Sequence, residues 1–244
     1  MGKLEFKASF IPTLITILLL YILVSLGMWQ LDRADEKTHL EQLVKQRSEQ
    51  SAIQIDDAPR SKEDRMYLPV FVQGRFDTGH QILLDNQVFN HQAGYQVYTP
   101  LIREHGPLVL IDRGWIAQGN TRAELPDVSL SDPGAQETLQ GVLMTPPAAP
   151  LVLADNVNNY QQWPAVSQFI DFSEVESALG QAVYPMVVKL DQNNRFALHQ
   201  QAIRFNMTSD KHLGYAFQWF ALALTLTIIY FVVNTKREKT ANDG

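Results

Sequence analysis

Charge-free runs near both ends, with short alternating runs between them, set the pattern of this chain. Phe10 to Met28 carries no charged residue, and neither does Leu213 to Val233. As a helix the second run, about 21 residues at about 1.5 Å each, reaches about 32 Å, enough for a hydrocarbon core of about 30 Å. Both runs predict transmembrane helices, over 10–28 and 213–233, with tails at 1–9 and 234–244. Residues 29–212 then form one external domain, helical to about residue 50 and β-rich beyond. Trp29 suits the interfacial aromatic belt, and Leu40, Leu43, Val44 and Arg47 keep helical spacing as the first helix leaves the membrane.

From Tyr67 the period shortens. Runs of strand character cover Leu68–Phe76, Gln81–Asp85, Tyr95–Ile102, Leu108–Ile116, Thr138–Met144 and Pro185–Leu190, with a weaker one at Phe196–Arg204. The breakers are Asp77-Thr78-Gly79, His91-Gln92-Ala93-Gly94, His105-Gly106-Pro107 and Asp132-Pro133-Gly134. Pro69 inside the first run predicts an edge strand or a bulge. One helix interrupts the series, over Glu174–Leu179, with Ser173 as cap, Glu176 at the capping-box position and Gly180 as the stop. The fold class expected is a membrane protein in which two transmembrane α-helices flank an external β-rich (α+β) domain, an antiparallel sheet or partly closed barrel.

Charge changes the picture at two points. The net charge of −6, with no basic stripe, argues against nucleic acid as a partner. Lys236, Arg237 and Lys239 follow the second run, which by the positive-inside rule puts both termini in the cytoplasm. Between Ala34 and Lys211 there are 14 Lys and Arg against 22 Asp and Glu, as suits the outer side. A cleaved signal peptide is the alternative for the first run. It is disfavoured by a charge-free stretch longer than the usual 7–15 residues and by the lack of an A-x-A-like site. The short leading tail is unlike a transit peptide and favours a bacterial inner (plasma) membrane, with lipid around both spans.

The chemistry on offer is sparse. There is no cysteine, so disulfides, thiolate nucleophiles and Cys-based metal sites are excluded. No G-x-S-x-G, H-E-x-x-H, phosphate loop or EF-hand spacing occurs. His39, His80, His91, His105 and His199 read as solvated or turn residues, and Asp112-Arg113-Gly114-Trp115 as a charged pair closing a strand. His212 differs. It starts a helical stripe with Tyr215 and Trp219, which should face the first span. Gly27 and Gly214 would let the two helices approach there. The histidine either marks the water boundary or serves a cofactor. A haem would use an imidazole ligand, flat aromatic walls and outer cations such as Arg33 and Lys211.

Several of these residues also carry a resemblance. Gly27-Met28-Trp29-Gln30-Leu31-Asp32-Arg33 resembles the G-x-W-Q-x-x-R exit of the first span in the surfeit locus protein 1 family, known as Shy in yeast. Gly94-Tyr95-Gln96-Val97-Tyr98-Thr99-Pro100 and Leu108 to Ile116 are similar to its G-Y-x-V-x-T-P and L-V-x-R-G-W blocks, and His212-Leu213-Gly214-Tyr215-Ala216 with Trp219-Phe220 to its H-L-x-Y-A-x-x-W-F opening of the second span. The resemblance implies an assembly factor for haem–copper terminal oxidases, chiefly cytochrome c oxidase, that turns over no substrate. The implied cargo is haem a, held transiently and passed to the oxidase large subunit, with haem a synthase as a further partner. It also implies that His212 is the axial ligand of the haem iron, with Tyr215, Trp219, Trp29 and Arg33 beside the macrocycle. The chain departs from the family at Asp210, where asparagine is expected. A haem-free scaffold that binds oxidase subunits is the alternative from a different class. A two-span sensor is disfavoured by the short tail after Val233, and an external enzyme by the missing motifs.

Overall fold

The computed structural model describes residues 4–6, 8–119, 124–130, 134–148, 160–201, 203 and 208–237. In chain order the elements are β1 (Leu4–Phe6), α1 (Phe10–Ser48), β2 (Ile53–Gln54), a 3-10 turn (Ile55–Asp57), α2 (Lys62–Arg65), β3 (Pro69–Phe76), β4 (Ile82–Phe89), β5 (Gln92–Ile102), β6 (Leu108–Ala117) and β7 (Glu137–Met144). There follow β8 (Ala165–Ser167), α3 (Phe172–Leu179), β9 (Val183–Leu190), α4 (Ser209–Asn234) and β10 (Thr235–Arg237). Two units result: Met1–Leu43 with Phe205–Gly244, and Val44–Arg204.

The first unit is a helical hairpin. α1 and α4 are each long and apolar enough to cross a membrane. Their outward side chains, Phe10, Leu14, Phe217 and Val232 among them, are exposed, as lipid would allow and water would penalise. The helices run antiparallel, because contacts rise along α1 as they fall along α4. The Thr13 hydroxyl bonds Tyr230 Oη at 2.7 Å, Gly27 meets the Phe220 ring, and Glu41 accepts from the Ser209 hydroxyl and backbone N–H. Gly27 is required for this approach, since a Cβ there would lie 2.7 Å from the ring. Gly214 has nothing within 4 Å of that position. The close approach expected of both glycines belongs to Gly27 alone. At one end β1 and β10 pair antiparallel, and Phe6 packs on Tyr230 and Phe231.

The second unit is a five-stranded β-barrel with three flanking strands, β2, β4 and β8. The sheet order is β2-β3-β7-β9-β6-β5-β4-β8, and a further β3–β5 pairing closes five strands into a ring. Val70, Val72, Leu101, Val109, Ile111, Leu139, Leu143 and Val188 form one core. On the opposite face of β6 and β9, Leu108, Leu110 and Val187 pack with Ile82, Tyr98, Ile170 and Val175. Strands with apolar residues on both faces read as unbroken runs, which is why β6 is legible as LVLI.

Several expectations need correction. Pro69 is the first residue of β3, which pairs with β2 and β7, so its missing N–H is tolerated at a strand start and not at an edge. Gln92 to Gly94 continue β5, and the hairpin turns one step earlier, at Asn90 and His91, both with positive φ. The cap of α3 is Asp171, whose carboxylate accepts from the Ser173 and Glu174 N–H groups. Glu176 accepts from Val183 N–H, outside the helix, while Gly180 does end it, at φ +65°. Phe196 to Gln201 contains no strand, though Trp115 and His199 exchange backbone bonds across an isolated bridge. Ile203 is likewise outside any strand, while Ala202, Arg204, the Asp132-Pro133 breaker and Lys239 lie outside the described residues.

Candidate functional site

His212 sits in the first turns of α4 and is 6% exposed. Its Nδ1 lies 2.7 Å from Gln30 Oε1 on α1; a carbonyl oxygen can only accept, so in the neutral imidazole this contact places the proton on Nδ1 and leaves the lone pair on Nε2. The buried residues of α4 are His212, Ala216 and Ala223, and those of α1 are Gly27 and Ala34. Small residues thus line the seam, and one glutamine–histidine bond crosses it. Asp210, in the first turn of α4, puts a negative charge where the helix dipole favours one.

The other expected site residues are placed less tightly. Trp219 is half-buried, but Tyr215 is 47% exposed and lies on the flank of the seam rather than facing α1. Trp29 is 49% exposed, with the Arg33 guanidinium 5.8 Å from its ring centroid. Arg33 is also paired with Glu36 at 2.6 Å, so it is not a free cation; Lys211 is exposed. An open groove of about 550 Å³ runs along α1 between Leu20 and Asp32 and includes Trp29. Gln30 is the residue that the sequence reading passed over. Its signal was available, as an amide one turn beyond Gly27 where the first span leaves the membrane.

A second polar cluster lies in the barrel unit, where Asp112 and Arg113 are buried rather than at a strand end. They sit inside β6, because the β5–β6 register passes from Val97↔Gly114 to Tyr98↔Asp112 and leaves Arg113 as the extra residue of a bulge. Gly114 has φ +112°, and a Cβ there would lie 2.8 Å from His199 O, so only glycine serves. The Arg113 guanidinium donates to Phe196 O at 3.0 Å, Val128 O at 2.7 Å and Gln81 Oε1 at 3.0 Å. Burial lowers its pKa to about 10, which leaves it charged at neutral pH. Asp112 accepts from Gln96 and from Gly114 N–H, and burial raises its pKa, with Lys189 opposing the rise. All its partners are structural, so the cluster reads as a tie between β6 and the loops at 81, 128 and 196.

Among the five remaining histidines, His80 Nδ1 lies 2.7 Å from Asp77 Oδ2 in the turn before β4, a pairing missed because it is not helical. His199 packs at a tilt against Phe89, with ring centroids 4.1 Å apart. Among the described residues no three His, Asp or Glu side chains converge as a metal centre.

The sequence is similar to those of several known proteins. A SURF1-like protein of Rickettsia bellii is 27% identical over 230 residues, covering 89% of each chain. A SURF1-like protein of Dictyostelium discoideum is 23% identical over 263 residues, covering 86% of this chain and 91% of its own. The cytochrome oxidase assembly protein SHY1 of Saccharomyces cerevisiae is 32% identical over 96 residues, which is 38% of this chain and 25% of its own. The SURF1 family pattern itself runs from residue 17 to residue 224, through both long helices and the whole barrel, and the chain belongs to the SURF1 family.

Proposed function

We propose that this chain is a membrane-bound assembly factor for a haem–copper terminal oxidase, holding haem a as cargo at His212 and aiding its insertion into the large subunit. The observation that carries the reading is the His212 imidazole, buried in the helix seam with Nδ1 engaged by Gln30 and Nε2 left as the ligating nitrogen. Trp29, Tyr215 and Trp219 supply flat aromatic surface along the same stretch. The yeast relative named for cytochrome oxidase assembly supports the process, and the Rickettsia relatives, being bacterial, support a bacterial setting. Both termini are assigned to the cytoplasm, where the basic tail belongs; the pairing of β1 with β10 agrees with their sharing one side. The chain's own residues bind and orient the cargo rather than transform it. The large subunit and haem a synthase are the proposed partners.

A haem-free scaffold is the second reading, favoured by one observation in the barrel unit. Its residues, Val44–Arg204, form a closed barrel larger than a histidine held between two helices requires. The test is the visible spectrum of full-length protein purified in detergent from cells that make haem a, beside His212→Ala. A Soret band in the parent that is lost in the variant supports haem handling. Absence of the band from both, with oxidase subunits still copurifying, replaces that reading with the scaffold.

A further inference from the structure

We infer that Gln30 is the positioning residue of this site, fixing the His212 tautomer so that Nε2 is the nitrogen left with a lone pair to ligate, and that its neutrality keeps the ligand exchangeable. The inference rests on the haem reading above but makes a separate claim about the protein without cargo.

Nothing about a histidine alone decides which ring nitrogen carries the proton; the hydrogen bond to one nitrogen decides it. Here the acceptor is Gln30 Oε1, 2.7 Å from Nδ1. The pairing is held by register at several levels of the hairpin. Thr13 with Tyr230 and Gly27 with Phe220 lie to one side of it, and Glu41 with Ser209 to the other. A slip of one residue along either helix would break all four contacts together. His212 is therefore presented by a braced seam and not by a mobile boundary side chain.

The choice of amide also has a chemical consequence. Metal-bound histidines commonly donate their second N–H to a carboxylate, which pulls the proton, makes the imidazole more basic and strengthens the metal bond. A glutamine carbonyl orients the ring as well but carries no charge, so it adds less basicity. A protein that must release its cargo is served by orientation without the added bond strength. Nearby carboxylates are engaged elsewhere: Glu36 with Arg33, and Glu41 with Ser209.

The test uses full-length protein in detergent, with hemin as the probe. Imidazole nitrogen NMR of the cargo-free parent, with His212 assigned by comparison to His212→Ala, should show the proton on Nδ1 and a bare Nε2. Gln30→Leu should lose that preference and bind hemin about 10-fold or more weakly. Gln30→Glu should keep the tautomer, lower the midpoint potential of bound hemin and pass hemin to apomyoglobin several-fold more slowly. A proton on Nε2 in the parent, or a tautomer unchanged in Gln30→Leu, overturns the inference while leaving His212-dependent hemin binding intact. Where Gln30→Leu disturbs the helix pair, Gln30→Glu carries the test, and hemin transfer as fast as in the parent overturns it. If the parent shows the expected tautomer but binds no hemin, the haem reading falls and the pairing is only a helix contact.

Discussion

Replacing Arg113 with methionine tests whether the barrel depends on its buried cation. Arg113 is 3% exposed, and its guanidinium ties Phe196 O, Val128 O and Gln81 Oε1 together. Methionine fills comparable volume without donors. Gln81 Oε1 would still accept from the Thr99 hydroxyl at 3.0 Å, so two backbone carbonyls lose their donor. At about 1–3 kcal/mol for each buried unsatisfied group, the loss is about 2–6 kcal/mol. Removing a desolvated charge offsets part of it, leaving about 2–3 kcal/mol. For a domain the size of Val44–Arg204 this lowers the melting temperature by about 4–12 °C. Arg113→Lys should be at least as damaging, because one ammonium cannot span three acceptors yet remains charged in the same place. The assay is thermal unfolding of the full-length protein in detergent, followed by tryptophan fluorescence through Trp115 and Trp163. If Arg113→Met melts with the parent, relief of desolvation equals the lost hydrogen bonds and the cluster is not a stabilising tie.

Two further outcomes follow from the same structure. Burial raises the folded pKa of Asp112 above its ordinary 3.8, so its stabilising contribution is fully present below that value and is lost as pH rises through the raised one. In Asp112→Asn the amide oxygen can still accept from Gly114 N–H and Gln96, and denaturant titrations between about pH 4 and 7 should show a flatter stability profile than the parent; parallel profiles would contradict the assignment. In a chain free of cysteine, Thr13→Cys with Tyr230→Cys should join through a short bifunctional thiol reagent, since the native side chains touch at 2.7 Å. Adding Gly27→Leu should reduce that yield, because Phe220 leaves no space and overpacking costs about 1–3 kcal/mol; an undiminished yield would refute the close packing.

The sequence by itself determined the periodic features. A helix needs only charge-free length to declare itself, so α1 and α4 are legible from Phe10 and Leu213 onward. The six strands from β3 to β7 and β9 are likewise readable, because residues buried on one or both faces leave a local pattern. Their ends drifted where the deciding partner was remote: Asp171 rather than Ser173 caps α3, and β5 begins at Gln92 because β4 pairs with it there. His212 stood out as a lone ionisable side chain at the start of a charge-free run, and the motifs around it carried the family.

What only the tertiary structure decided are pairings between distant segments. The closure of β3 on β5, the short strands β1, β2, β8 and β10, and the burial of Asp112 and Arg113 all depend on contacts without local periodicity. Arg113 looked like a strand-end charge because a bulge, which no spacing announces, turns it toward acceptors from three separate segments. The same holds for Gln30, 182 positions from His212. An amide in a helix has no preferred partner until packing supplies one, and here the packing of Gly27 on Phe220 brings the two helices close enough to supply it.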